Sequence, residues 1–366
     1  MNNIHPHQLK KLPPREIDYI SLVQILGEAR AVLGELKGQL SHVSPELINL
    51  LVAPLLTKEA ILSSKIEGTQ ATMEAVLKYE AQENKPQNNT EEVGYKEIIN
   101  YRKAVQMVVQ ETTPIGENLI KDAHRVLMDS VRGAKKNPGS FRRIEVAIGR
   151  LGQSPEKATY FPPLNTEVTS LMNDWEKYMH NVPEKDDLVK IGIGHYQFEA
   201  IHPFMDGNGR IGRLLIPLFL YQKGILPYPV IYISEFFEEH RQDYYDLLNN
   251  VTQKGEWEPW LIFFLTGIIE TSKKTINTIN KMDKLYYELK ESITSVNSIY
   301  AINLLDIIFE TPVVTYVSLK SRLNTKSPQT IYNLLQKFIE KGILSESEDK
   351  QRGREFKFDR LVNLLD

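Results

Sequence analysis

The groups that could do chemistry in this 366-residue chain gather in one twelve-residue run, His202-Pro-Phe-Met-Asp-Gly-Asn-Gly-Arg-Ile-Gly-Arg213. The apolar periodicity of Val189 to Ile201 predicts a helix. Pro203 disfavours its continuation, because the residue before a proline avoids the α region. Asp206-Gly-Asn-Gly209 is a tight loop of residues that tolerate positive φ. Ile211 to Tyr221 then restarts an apolar helix. A loop poor in side chains that runs into a helix N-terminus presents successive backbone N–H groups. With the helix dipole these form an anion nest. Arg210 and Arg213 lie three apart, on one helical face beside the nest. Two guanidiniums there suit a polyphosphate. Asp206 offers an oxygen ligand for Mg2+, which binds phosphates through one or two carboxylates. His202, across the loop, titrates in a range fit for taking a proton from a hydroxyl. Singly these features are ordinary: a histidine before proline is usually structural, and Gly-Asn-Gly is usually a turn. Together, ahead of a helix, they read as a phosphate site with a base at its edge.

The run resembles the signature of the Fic family, H-P-F-x-D/E-G-N-G-R-x-x-R, at every specified position. Gly139-Ser-Phe-Arg142 resembles the Gly-x-aromatic-Arg element ahead of that family's flap. Val146-Ala-Ile-Gly149 with Tyr160-Phe-Pro-Pro163 resembles the flap itself. Arg241 to Leu248, with Tyr244-Tyr245, and then Trp260 to Leu265 resemble the helices that close the nucleotide pocket. The resemblance implies a protein adenylyltransferase, which moves AMP from ATP onto a Ser, Thr or Tyr hydroxyl of a target protein. His202 would then be the general base and Asp206 would hold Mg2+ between the α- and β-phosphates. Gly207, Asn208 and Gly209 would cradle the phosphates, and Arg210 and Arg213 would meet the β- and γ-phosphates. Phe204 would anchor the loop by packing. Ile148 and Gly149 of the flap, and Tyr244 and Tyr245, would be further nucleotide contacts, Tyr245 beside the adenine. The flap would hold the target segment by strand pairing. Positioning and charge neutralisation would supply most of the acceleration.

Ser63-Ser-Lys-Ile-Glu67-Gly68 resembles the family's inhibitory pattern, S/T-x-x-x-E-G/N, placed N-terminal to the catalytic run. Its implied role is a carboxylate, Glu67, paired with Arg213, which takes away the guanidinium that should orient the γ-phosphate. Ser63 and Glu67 are four apart, so one helical face presents both. The same carboxylate near the α-phosphorus of a modified target could instead orient water and remove AMP. Self-modification and a homodimer are compatible with the sequence, and neither has a motif of its own.

The elements that must position these residues are mostly helical. Helices are expected at 16–43, 45–52, 54–68, 91–111, 117–130, 166–180, 185–201, 208–223, 239–253 and 257–281. Ser44-Pro45 reads as a cap followed by a first-turn proline, and Pro54 as the start of a separate helix. Between Gly133 and Pro163 the texture turns to prolines and glycines around two β-prone pieces, 145–148 and 158–161, read as a β-hairpin flap of about 145–163. The last quarter reads as helices at 299–311, 317–323 and 327–341, then strand-like pieces at 342–345 and 355–358, the order of a winged helix. Ten basic residues stand against six acidic ones from Lys320 to Arg360. Gln329, Thr330 and Asn333 are placed to meet base edges, and the 350–354 turn to meet phosphates, so DNA binding through residues 318–357 is a second reading. On it, the chain is a DNA-binding regulator with a nucleotide-sensing core. The expected fold is thus mainly α: an N-terminal helical region 1–110 with the inhibitory helix at about 54–68, a catalytic core 111–280 with the flap, and a winged helix-turn-helix domain 290–366.

Composition narrows the rest. Apolar residues are 42% and charged residues 25% of the chain, an ordinary globular balance. The net charge of −3 excludes a uniformly basic nucleic-acid coat. With no cysteine there are no disulfides, thiolate metal sites or Cys nucleophiles. His195, seven residues before His202, shares its helical face and reads as packing; no His/Asp/Glu set has convincing zinc spacing. The N-terminus lacks an apolar core of signal-peptide length, and no uninterrupted apolar run is long enough for a membrane span, so a cytoplasmic protein is expected.

Overall fold

The computed structural model describes residues 6–14, 17–82, 90–111, 113–131, 136–149, 160–323, 325, 327–346 and 354–365. In chain order the elements are α1 (Tyr19–His42), α2 (Pro45–Ile66), α3 (Met73–Ala81), α4 (Thr90–Gln110), α5 (Glu117–Leu127), α6 (Val168–Asn181), α7 (Asp187–Ile201) and α8 (Asn208–Gln222). They continue with α9 (Ser234–Glu239), α10 (Arg241–Lys254), α11 (Trp257–Ser292), α12 (Ala301–Glu310), β1 (Val313–Thr315), α13 (Tyr316–Arg322), α14 (Pro328–Glu340), β2 (Ser345–Glu346), β3 (Glu355–Lys357) and α15 (Asp359–Leu365). The mainly α fold expected from the sequence is the one observed.

The core is built around α7 and α8. Nearly every residue of α7 is buried, as is α8 from Arg210 to Leu220, because other helices cover both on several sides. Here α7 lacks the one-sided apolar stripe of a surface helix. The long α11 packs along α1 and also touches α7. Burial of α2 through Leu47, Ile48, Leu51, Leu55, Leu56, Ala60 and Ile66 fixes it against α4 and α9. Each large side chain so buried contributes about 1.5–3 kcal/mol.

Four expectations are corrected. Residues 45–66 form one helix, with Pro54 inside it and buried. A mid-helix proline forfeits one backbone hydrogen bond, and the apolar burial on both sides of Pro54 outweighs that loss. Ser44 does cap this helix, its Oγ accepting from the Leu47 N–H at 3.3 Å. Helix α11 does not stop near 281. Met282, Leu285, Tyr286 and Leu289 continue its buried stripe, so it runs unbroken across the expected domain boundary. The helix expected at 239–253 is α10, which starts after His240, and a short helix that was not expected, α9, precedes it. And α3, β1 and α15 were not expected at all. By length and composition α2 alone among the described residues suits a membrane span, but its apolar face is used inside the fold.

The helix order expected for 299–341 is present, with β1 placed between α12 and α13, and β1 joins β2 and β3 in a three-stranded antiparallel sheet with the order β1-β3-β2. Val313 pairs with Lys357 and Thr315 with Glu355, and Ser345 also faces Lys357. Of the flap, the described part is a single bridge in which Ile148 and Tyr160 exchange hydrogen bonds of 2.9 and 3.1 Å. Its residues 150–159, like Lys326 and residues 350–353 of the expected wing turn, lie outside the described residues.

Candidate active site

Helix α7 ends where the sequence says it should. His202 caps it in the left-handed region, with φ 49°, and its N–H still donates to Phe198 O at 3.0 Å. The turn that follows is pinned from two sides. Arg142, buried, donates from Nε to His202 O at 2.9 Å and from Nη2 to Pro163 O at 2.5 Å, while its backbone N–H donates to Pro203 O at 2.8 Å. One guanidinium thus joins the base of the flap to the histidine. Inside the loop, Asn208 Oδ1 accepts from Phe204 N–H at 2.8 Å and its Nδ2 donates to Phe204 O at 2.9 Å. The Asn208 side chain is therefore a staple across the loop, which leaves its backbone for a ligand. Gly207 caps α8 at φ +79°, and a Cβ there would press on Met128 Sδ.

His124 of α5 carries the loop from below. Its Nδ1 accepts from Gly139 N–H at 2.8 Å, so the ring proton is on Nε2, which donates to Asp206 O at 2.9 Å. The ring also stacks on Phe204, with centroids 3.8 Å apart. Phe204 is buried, in the packing role expected of it.

The charged groups meet at the N-terminus of α8. Asp206 Oδ1 accepts from Gly207 N–H at 2.7 Å, and Oδ2 lies 3.1 Å from the half-exposed Lys136 ammonium. Arg210 is buried between carboxylates it does not fully engage: Nη2 is 3.5 Å from Asp206 Oδ1 and Nη1 is 3.6 Å from Glu97 Oε1. Its Nε and Nη1 make no hydrogen bond. Arg213, 1% exposed, is tied to the last turn of α2 by three bonds. Nε donates to Ser63 Oγ at 3.0 Å, and Nη2 donates to Ser63 O at 2.8 Å and to Glu67 Oε1 at 2.7 Å. That same Oε1 lies over Gly209 so closely that a Cβ there would overlap it. The Glu67 carboxylate therefore rests on the first turn of α8, where backbone N–H groups and the dipole favour an anion.

Burial would raise the Glu67 pKa, but the Arg213 guanidinium outweighs it and holds the carboxyl below its usual range. Burial lowers His202 to about 4 against the pull of the Glu67 carboxylate, so the imidazole is neutral at pH 7. His202 Nδ1 is buried without a hydrogen bond. Burial likewise lowers His124 to about 4 and His195 to about 3. It raises Glu59 to about 7 and Glu199 to about 8.

These shifts set a pH dependence of stability. Between about pH 4.5 and 6.5 the unfolded chain binds protons on the three histidines that the fold leaves neutral, while the fold binds them on the two glutamates. The histidines win there, and stability rises with pH. From about 6.5 to 8 only the two glutamates differ, with the fold holding the extra protons, and stability falls. These groups place the maximum near pH 6.5. Urea midpoints at about pH 5, 6.5 and 8 check it; a steady rise up to pH 8 would contradict it.

The structure brings together His202, Asp206, Gly207, Asn208, Gly209, Arg210 and Arg213 with Ser63, Glu67 and Gly68 at the end of α2. Gly68, at φ +92°, closes the end of α2 by donating to Lys65 O. Ile148 and the exposed Gly149 sit on the flap. Tyr244 is a correction. It is 1% exposed, its ring stacks on Phe237 at 4.4 Å, and its hydroxyl donates to His195 Nε2 at 3.0 Å, so neither face is open to a nucleotide. Tyr245, one residue on, is 40% exposed. Burial raises its hydroxyl pKa to about 12, with the Glu67 carboxylate adding to the rise and the Arg213 guanidinium opposing it. His195 is packing as expected, its Nδ1 donating to Gly212 O at 3.1 Å. The sequence reading missed His124, Glu97 and Glu199. His124 follows Ile120 and Ala123 on the buried face of an amphipathic helix and looks like core; its link to the loop is 82 residues away in sequence. In the C-terminal quarter, Gln329 and Asn333 are exposed on α14 and bonded to each other at 2.7 Å. Arg354 pairs with Glu346 at 3.3 Å.

Comparison with known proteins gives a consistent result. The family model described as Fic/DOC family N-terminal matches residues 23–110, and that described as Fic/DOC family matches 114–220, together over half of the chain. The protein named "Protein adenylyltransferase Fic" of Aedes aegypti is 29% identical over 165 residues, covering 44% of this chain and 28% of that protein. Its namesake of Culex quinquefasciatus is 30% identical over 167 residues, with the same coverages of 44% and 28%. This chain therefore spans less than a third of the length of these relatives. Among solved structures, a Fic family protein from Desulfovibrio desulfuricans G20 superposes with a TM-score of 0.58 at 19% identity, over 97% of this chain and 98% of that one. Fic-1 (residues 134–508) from C. elegans gives 0.55 at 17% identity, over 72% of this chain and 75% of that one. Both likenesses concern the fold.

Proposed function

Because this chain belongs to the Fic/DOC family, we propose that it transfers AMP from ATP to a hydroxyl of a protein, and that Glu67 holds it inactive. The observation that carries this reading is the Glu67 carboxylate bonded to Arg213 and laid over Gly209. An anionic group of the chain itself occupies the spot best suited to a phosphate, and the best-placed guanidinium is already engaged. The donors around it are a triphosphate set: the first turn of α8, Arg210 with two unsatisfied nitrogens, and Arg213.

In the reaction, the hydroxyl oxygen attacks the α-phosphorus and the bond from that phosphorus to the β-phosphate bridge breaks. Pyrophosphate leaves, and the hydroxyl proton passes to His202. A neutral imidazole at pH 7 can accept that proton. Arg142 holds the His202 backbone and the flap base in one frame, so base and acceptor strand keep their spacing. Asp206 fits a magnesium ion: among the described residues its Oδ2 faces the half-exposed Lys136, and one carboxylate is enough when phosphates supply the other ligands. Bound there, the ion would neutralise phosphate charge. Arg210 and Arg213 would take the β- and γ-phosphates, with Tyr245 at the mouth.

The test uses the Glu67→Gly variant and ATP labelled on either the α- or the γ-phosphorus, with that variant itself as acceptor. Label is expected in protein from the α position and not from the γ position. Label from the γ position alone would overturn the reading in favour of phosphorylation.

A further inference from the structure

Glu67 ends α2, and the two elements that flank it are both held by the C-terminal quarter of the chain. Helix α2 is enclosed. On one side Ser63 and Glu67 bind Arg213. On another, α12 packs against it, and Leu365 of α15 lies beside Leu55, Lys58, Glu59 and Leu62. Helix α3 begins at Met73, only a short turn after Glu67, with Thr72 as its cap. It is gripped by the C-terminal sheet. Lys357 of β3 pairs with Glu74 at 2.7 Å and also lies 3.1 Å from Asp359. Thr315 Oγ1 of β1 donates to Ala81 O at 3.0 Å, and Gln82 Nε2 donates to Glu355 Oε1 at 3.2 Å. The hydrogen bond from Lys357, with that from Lys78, lowers the Glu74 carboxyl to about 2. The C-terminal unit is also attached to α11, which ends at Ser292 just before it: α12 and α15 pack on α11, and Arg360 of α15 binds Glu288 of α11 at 3.0 Å.

We propose that the C-terminal unit, residues 301–365, is a clasp on the Glu67 lock, so that a shift of this unit loosens Glu67 from Arg213 and raises AMP transfer. The inference rests on the reading of Glu67 as a lock. Its physical content is that the end of α2 and the start of α3, on either side of Glu67, pack on this unit and move with it. A ligand of that unit would act on the active site only through its difference in affinity for the seated and shifted positions. Each clasp contact is modest alone, since a partly exposed ion pair contributes little. Reversing one charge is a stronger perturbation, because it replaces attraction by repulsion on both Glu74 and Asp359.

The experiment measures initial rates of self-labelling from α-labelled ATP in the full chain. Lys357→Glu is expected to raise the rate on the order of tenfold, within the usual range of coupling between sites. Glu74→Lys alone is expected to raise it as well, and the double charge swap to bring it below either single variant, because it restores the pair between positions 74 and 357 while position 357 still faces Asp359 and position 74 still faces Lys78. In a Glu67→Gly background Lys357→Glu should add nothing, because the lock is already gone. If Lys357→Glu and Glu74→Lys leave the rate unchanged while Glu67→Gly raises it, the clasp is wrong and the lock stands. If both single variants rise and the swap stays at or above them, the effect is general loosening and the clasp is again wrong. A Glu67→Gly rate equal to wild type would instead overturn the lock, and the clasp with it.

Discussion

Replacing Glu67 with glycine is expected to raise AMP transfer by about a hundredfold, near the upper end of coupling energies between sites. The size follows from what one side chain does twice. It saturates Arg213 Nη2 at 2.7 Å, and it places Oε1 over Gly209 at the start of α8. Both the guanidinium and the anion nest are released at once. Glycine is safe at this position, because Glu67 has an ordinary backbone conformation, φ −85° and ψ 4°. Ser63 stays, so Nε and Nη2 of Arg213 keep their bonds to its hydroxyl and carbonyl, and the guanidinium stays aimed. Glu67→Gln is the informative companion. It keeps the shape and a hydrogen-bond acceptor and loses the charge, so its rate should fall between the two. The measurement is the initial rate of self-labelling at saturating Mg2+ and ATP. Equal rates for wild type and Glu67→Gly would remove the inhibitory role.

The second large effect is loss of the base. In the Glu67→Gly background, His202→Ala is expected to lower the rate by about 10²- to 10⁴-fold, the usual contribution of a positioned base. Nucleotide affinity should change little, since the triphosphate set does not include the imidazole. Alanine carries a side cost, because His202 sits at φ 49°, where most residues are strained by about 1–2 kcal/mol. His202→Asn avoids it, as asparagine tolerates this region. The two variants should be equally inactive, with His202→Asn the more stable. Calorimetric binding of Mg–ATP separates the causes. Intact binding with lost transfer assigns the base, whereas transfer that survives in His202→Asn would rule the imidazole out.

The site was legible where local chemistry decides. Pro203 stops α7, Gly207 turns the loop, and the spacing of Arg210 and Arg213 places both beside one helix start. The pairing of Glu67 with Arg213, 146 residues apart, was reachable only through resemblance. What stayed hidden depends on neighbours far along the chain. Tyr244 and Tyr245 are adjacent in one helix and point about 100° apart, so one is core and the other faces the site. No periodicity in so short and polar a helix says which. Pro54 misled because a proline is usually a boundary, and only the burial of its surroundings shows that the helix can absorb it. The same holds for α3, β1 and α15. Each is nine residues or fewer, too short for a periodic pattern, and each is fixed by packing against the other end of the chain.

The most direct measurement is the intact mass of two proteins after incubation with Mg2+ and ATP: Glu67→Gly, and Glu67→Gly with His202→Asn. A gain of one or more adenylyl groups is expected in the first and none in the second. An unchanged mass in the first, a gain of phosphoryl groups, or adenylyl groups in the second would each contradict a histidine-dependent AMP transfer held off by Glu67.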